Sequence, residues 1–222
     1  STHCISSAAS DVYKRQAQGV AIALAVVLLV LFQVGWPFRA GIADRLIGAV
    51  AGVLSILCAR TSLASQLFYP AYEGGRLADD GRLVMYQLVR WAACFAILLI
   101  AATIIAFGRQ MVRAERSHLI RALSHCMTGA VVSVSAAGWC FVPDLIDMGS
   151  ASPDNGLLTR FIIVAAAFVV VAVLFAVCSV SWSREADPDP AAPAPWLGIG
   201  LLPVMLSGLL VFAASFVMQL IF

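Results

Sequence analysis

The chain has 222 residues, of which 62% are hydrophobic and only 12% charged, with a net charge of +2. A soluble domain carries roughly a quarter charged residues to face water, so so few charges leave lipid as the medium that can surround this much apolar side chain. The small net charge, spread through loops and helix ends rather than gathered in a stripe, excludes a nucleic-acid partner from the reading.

In chain order, residues 1–16 stand apart. No Met precedes Met85, and the run from Ser6 to Gln16 reads as one frame of a transposase-type sequencing-library adapter. Lys14 is the only lysine, whereas residues 17–222 hold twelve Arg. An arginine-only basic set fits a GC-rich bacterial source and leaves Lys14 foreign to it. Segments of this kind are set aside before fold reasoning. The expectation is therefore an adapter-derived segment over 1–16 and a native domain over 17–222 that has lost upstream sequence.

The fold expected is all-α, a polytopic transmembrane bundle of six spans at about 17–36, 46–69, 83–107, 119–142, 161–182 and 196–222. The first run, Ala17 to Trp36, carries no charge and ends at Pro37, long enough for a ~30 Å core. In the second, Leu46 to Ala59 gives only about 21 Å of helix, so spanning requires continuation past Arg60 to about Tyr69; Asp44 sits where it could cap this helix. Pro70–Arg82, with three Gly and five charges, is a breaker. The third span contains Gln87 and Arg90, and the fourth is the most polar. An acidic loop over 143–160 precedes the β-branched fifth span, and four prolines between Ser183 and Pro195 predict an extended linker before the last span, where Pro203 predicts a kink. Trp36, Trp139, Trp182 and Trp196 fall at expected span ends, as amphipathic rings do, and Trp91 does not.

Arginine sets the orientation. With 109–116 in the cytosol, the inner loops hold Arg39, Arg45, Arg109, Arg113, Arg116 and Arg184, and the outer loops only Arg76, Arg82 and Arg160. The expected location is the bacterial cytoplasmic membrane.

Charges within spans cost roughly 2.5–3.5 kcal/mol at a helix centre and are functional suspects. Gln87, Arg90 and Cys94 share one helical face and, with Arg60, form a candidate site for an anionic substrate or lipid headgroup. The simpler alternative is that both arginines snorkel outward to Glu73, Asp79 or Asp80. His118, Arg121 and His125 form a second face, either a proton-responsive gate or a marker of the headgroup boundary. Gly48 and Gly52, with Ser55, make one small-residue stripe; Gly129 and Ser133, with Ala137, make another, suited to close helix packing within the chain or with another membrane protein.

Cys58, Cys94, Cys126, Cys140 and Cys178 all lie in spans, and none makes a CxxC, so they read as small apolar residues. No metal-ligand spacing, Walker A, GxSxG, HExxH or dinucleotide fingerprint occurs, so no metal, cofactor or catalytic residue is expected. Three functions fit: a transport-related permease subunit, a non-catalytic accessory or scaffold protein, and, with least support, a membrane enzyme acting on lipid-linked substrates. The expected partners are membrane lipids and other membrane proteins.

Overall fold

The structure, a computed structural model, describes residues 2–39, 41–61, 80–112, 119–150, 155–185, 188 and 193–221. Among these no strand occurs. The helices are α1 (Thr2–Val34), α2 (Ile42–Arg60), α3 (Asp80–Val112), α4 (Leu119–Ser135), a 3-10 segment (Ala136–Phe141), α5 (Val142–Ser150), α6 (Asn155–Glu185) and α7 (Pro195–Ile221). Among the described residues, six stretches are long and apolar enough to cross a membrane, with α4, the 3-10 segment and most of α5 forming one of them. The chain is an all-α, multi-pass bundle.

Several boundaries differ from the sequence reading for local reasons. The second helix starts at Ile42 rather than Leu46 and stops at Arg60, where Thr61 turns extended and its N–H bonds the Leu57 carbonyl. Its nineteen residues make about 28 Å of helix, enough to span without the expected extension, whose residues 62–69 lie outside those described. The start of the expected acidic loop is helical: residues 142–150 continue the fourth span beyond its break. Helix α1 runs back through the adapter-like segment, whose Lys14 meets Asp147 at 3.8 Å with both side chains half exposed, a geometry worth about 0–1 kcal/mol. Pro195 opens α7, the position where its missing N–H is no loss.

Burial ranks the spans. The fourth is 61% buried and lies at the centre, whereas no residue of the fifth is buried. Helix α1 buries Ala21, Ala25, Leu29 and Phe32, one stripe at helical spacing, and Trp36 just past its end is buried with them. Helix α2 buries Gly48, Ala51, Gly52, Ser55, Ile56 and Ala59 in the same way. Trp91, which broke the expected aromatic belt, is fully buried, 4.7 Å from Phe212 and 5.6 Å from Phe141 between ring centroids. Trp36 also departs from the belt: it is 2% exposed and wedges its ring against Gly48 and Gly129. Trp139 lies in the break rather than at a span end, while Trp196 is exposed as a belt residue should be.

The small residues allow these approaches. A Cβ at Gly52 would sit 2.7 Å from Leu29, and one at Gly138 would land on the Gly208 carbonyl oxygen where the fourth span crosses α7. Gly108, in contrast, faces open space. Overpacking a tight site costs about 1–3 kcal/mol, whereas Gly→Ala on a free helix face gains about 0.5–1 kcal/mol. Gly138→Ala should therefore lower the thermal unfolding midpoint in detergent, and Gly108→Ala should raise it. Equal midpoints for the two variants would contradict this crossing.

Candidate functional site

The fourth span is broken at its middle. Regular helix stops at Ser135, six residues take 3-10 geometry, and helix resumes at Val142. A 3-10 segment bonds its carbonyls i→i+3 with poorer geometry than an α-helix, and lipid offers no further donors. Helix α2 supplies two of them. Ser55 Oγ donates to the Val134 carbonyl at 2.9 Å and accepts from Trp91 Nε1 at 3.0 Å. Arg60 Nη2 donates to the Cys140 carbonyl and, at 2.8 Å, to Asp144 Oδ2.

Arg60 and Asp144 form a buried ion pair, with side chains 7% and 11% exposed. The guanidinium also lies over the Phe141 ring, 5.6 Å from its centroid. Among the described residues the carboxylate that Arg60 meets is Asp144, which neither the anion-site reading nor the snorkelling alternative named. That partner comes from α5, a pairing that follows once 142–150 is helical and folds back toward the end of α2. Glu73 and Asp79 lie outside the described residues. On the opposite side of the break, Trp139 Nε1 donates to the Val204 carbonyl at 2.9 Å, and Ser207 Oγ donates to the Pro203 carbonyl at 2.7 Å. The break thus abuts the proline-bearing part of α7.

The other end of α2 carries a second buried carboxylate. Asp44 is 2% exposed, pairs with Arg109 of α3 and neighbours the Cys126 thiol. It does not cap the helix as its sequence position suggests. Gly41 is the N-cap and makes no side-chain cap bond, so Asp44 falls inside the first turn and reaches sideways. Arg45 donates to the Gln33 carbonyl near the end of α1.

The remaining candidates distribute as follows. Gln87 and Arg90 are half-buried on α3, and Arg90 Nε is buried with no hydrogen-bond partner among the described residues. The described polar contacts of Arg60 run to Cys140 and Asp144, not to Gln87 or Arg90. Cys94 is buried and its thiol lies against Cys58 of α2. His118 is outside the described residues, Arg121 is exposed, and His125 stacks on Phe38 at 5.1 Å. Gly48, Gly52, Gly129 and Ser133 are all buried, and the stripes of α2 and α4 face one another: Gln33 Nε2 reaches Ser133 Oγ at 3.5 Å, and a Cβ at Gly48 would meet that same oxygen. Among the described residues no three of His, Cys, Asp and Glu converge to hold a metal ion.

Sequence reasoning missed Asp144 and Asp44 as partners of the arginines. Each is visible as an acid beside an apolar run, yet its partner lies 84 or 65 residues away. Comparison with protein-family models, with curated proteins and with solved structures finds no match to the chain.

Removing one partner of a buried ion pair leaves an uncompensated charge and costs about 3–5 kcal/mol, whereas replacing both by apolar groups is often neutral. Arg60→Met and Asp144→Leu should each destabilise strongly in a denaturation assay, and the double variant should recover most of the loss. Additive losses would show that the two side chains do not act as a pair.

Proposed function

We propose that this membrane protein is a transport-related permease subunit, in which the broken fourth span and the α7 segment around Pro203 are the working parts of a solute path. The observation that carries the reading is the break itself: six residues of 3-10 helix at the centre of the most buried span. Helices interrupted near the midplane are a device of transporters. A 3-10 stretch within a helix also often marks a hinge. The Arg60–Asp144 pair supports the reading, since a buried pair gives weak net stability and a purely packed bundle would hold together without one.

The setting proposed is a bacterial cytoplasmic membrane with the end bearing Arg39, Arg45, Arg109 and Arg184 in the cytosol. Its support is the arginine distribution and the positive-inside rule.

A second reading, an accessory membrane protein, draws on α6. Between Arg160 and Arg184 that helix carries no charge, none of its span is buried, and it packs chiefly on α7, so a long apolar face remains for lipid or another membrane protein to cover. The enzyme reading has least support: Asp44 and Asp144 are each engaged by an arginine and lie at opposite ends of α2.

The test is flux in proteoliposomes with panels of anionic, cationic and neutral solutes. The transport reading expects uptake above protein-free vesicles for one class. It further expects Asp144→Asn, with its helicity intact, to slow that uptake by about tenfold, the equivalent of ~1.4 kcal/mol of barrier. No uptake of any class by folded protein would overturn it in favour of the accessory reading.

A further inference from the structure

Two thiols that take no part in the reading above face each other across the α2–α3 contact. Cys94 of α3 is 4% exposed, and its thiol lies against that of Cys58 of α2, which is half-buried. Both are free.

The register of the two helices brings them together. The Asp44–Arg109 pair fixes α2 against α3 at one end. Cys58 lies fourteen residues on from Asp44, and Cys94 fifteen residues back from Arg109. These are about 21 and 22 Å of helix, each close to four full turns. Antiparallel helices advanced by equal rise and whole turns present the same faces again, so the cysteines meet as the charged pair does. Ala51, Ala101 and Ala102 line the same contact. Small side chains let the backbones come close, as a bridge between helices requires.

The two thiols differ in access. Helix α2 ends at Arg60, and Thr61 beyond it is exposed, so Cys58 lies within about 5 Å of the helix end. Leu54 and Leu57, beside it on α2, are 42% and 39% exposed. A small neutral oxidant arriving from water or from lipid therefore meets Cys58 first, and Cys94 stands behind it. A buried thiol alone is inert, and an accessible one alone passes from sulfenic to sulfinic acid. A sulfenic acid with a second thiol against it condenses to a disulfide instead.

We propose that Cys58 and Cys94 are a peroxide-responsive dithiol, in which Cys58 is the thiol oxidised first and Cys94 resolves it into a disulfide between α2 and α3. The Cys58 sulfur, giving up its proton, attacks one peroxide oxygen. The O–O bond breaks, leaving sulfenic acid on Cys58 and releasing one water. The Cys94 sulfur then attacks the Cys58 sulfur, the S–O bond breaks, and the hydroxyl leaves with the Cys94 proton as a second water. The two thiols together lose two electrons, and one peroxide becomes two waters. The bridge is uncharged, which suits its depth, and it fastens to α3 the turn of α2 whose Arg60 donates to the Cys140 carbonyl.

The experiment treats the full chain in phosphatidylcholine nanodiscs with hydrogen peroxide, blocks the remaining thiols with N-ethylmaleimide after unfolding, and maps the products by peptide mass spectrometry. The unsubstituted protein should lose the Cys58 and Cys94 thiols together. It should yield a peptide pair joined through them, two hydrogens lighter than the separate peptides, and dithiothreitol should restore both thiols fully. Cys94→Ala leaves Cys58 without a resolving thiol, so most of the Cys58 lost to peroxide should stay lost, as sulfinic acid. Cys58→Ala should leave Cys94 a thiol at the same peroxide concentration. Three results would each overturn the proposal: both thiols intact where peroxide oxidises the exposed Cys178, a linked peptide joining a different pair in their place, or equal recovery of Cys58 with and without Cys94.

Discussion

Lipid supplies no hydrogen bonds, and that single constraint organises this protein around one contact: the Arg60 guanidinium on the Cys140 carbonyl and the Asp144 carboxylate. A span that changes from α to 3-10 geometry at its middle bonds its carbonyls with poorer geometry there, so added donors strengthen it. Helix α2 provides them from Ser55 and Arg60, roughly one and a half turns apart. Asp144 neutralises the arginine that donates beside the break. The acid falls within reach because helix resumes at Val142.

The same helix is tied at both ends. Asp44 holds it to α3 through Arg109 at one face, and Arg60 holds it to the far half of the fourth span at the other. Between these ties the contact surface is small and smooth: Gly48, Gly52 and Ser55 against Gly129 and Ser133, with Trp36 wedged across Gly48 and Gly129. Polar ties at the ends and close packing between them let α2 sit tightly on a partner whose backbone is irregular. The span of helix α6, with none of it buried, lies at the edge.

The six spans were legible in the sequence because hydrophobic length and charge placement are local properties. So were the small-residue stripes, which depend on spacing alone. What the sequence left unread is long-range. Asp144 seemed to belong to a loop because Pro143 and the neighbouring acids look like breakers, yet proline is tolerated in the first turn of a helix, and Pro143 is the second residue of α5. The break itself has no strong local signal, since Ala136 to Phe141 is an apolar run that reads as ordinary helix. Trp36 and Trp91 were assigned or questioned by their distance from span ends, whereas their burial depends on glycines and aromatic rings of other helices.

Amide hydrogen exchange across residues 131–146 in lipid nanodiscs addresses the central claim most directly, since it reads the protection of the break itself. With 136–138, 140 and 141 buried and their surroundings supplied with donors from α2, the amides of the 3-10 segment should exchange as slowly as those of α4 before it, and Arg60→Met should accelerate exchange from Cys140 onward while leaving α4 protected. Exchange of the 3-10 segment at the rate of an open loop in the unsubstituted protein would contradict the account.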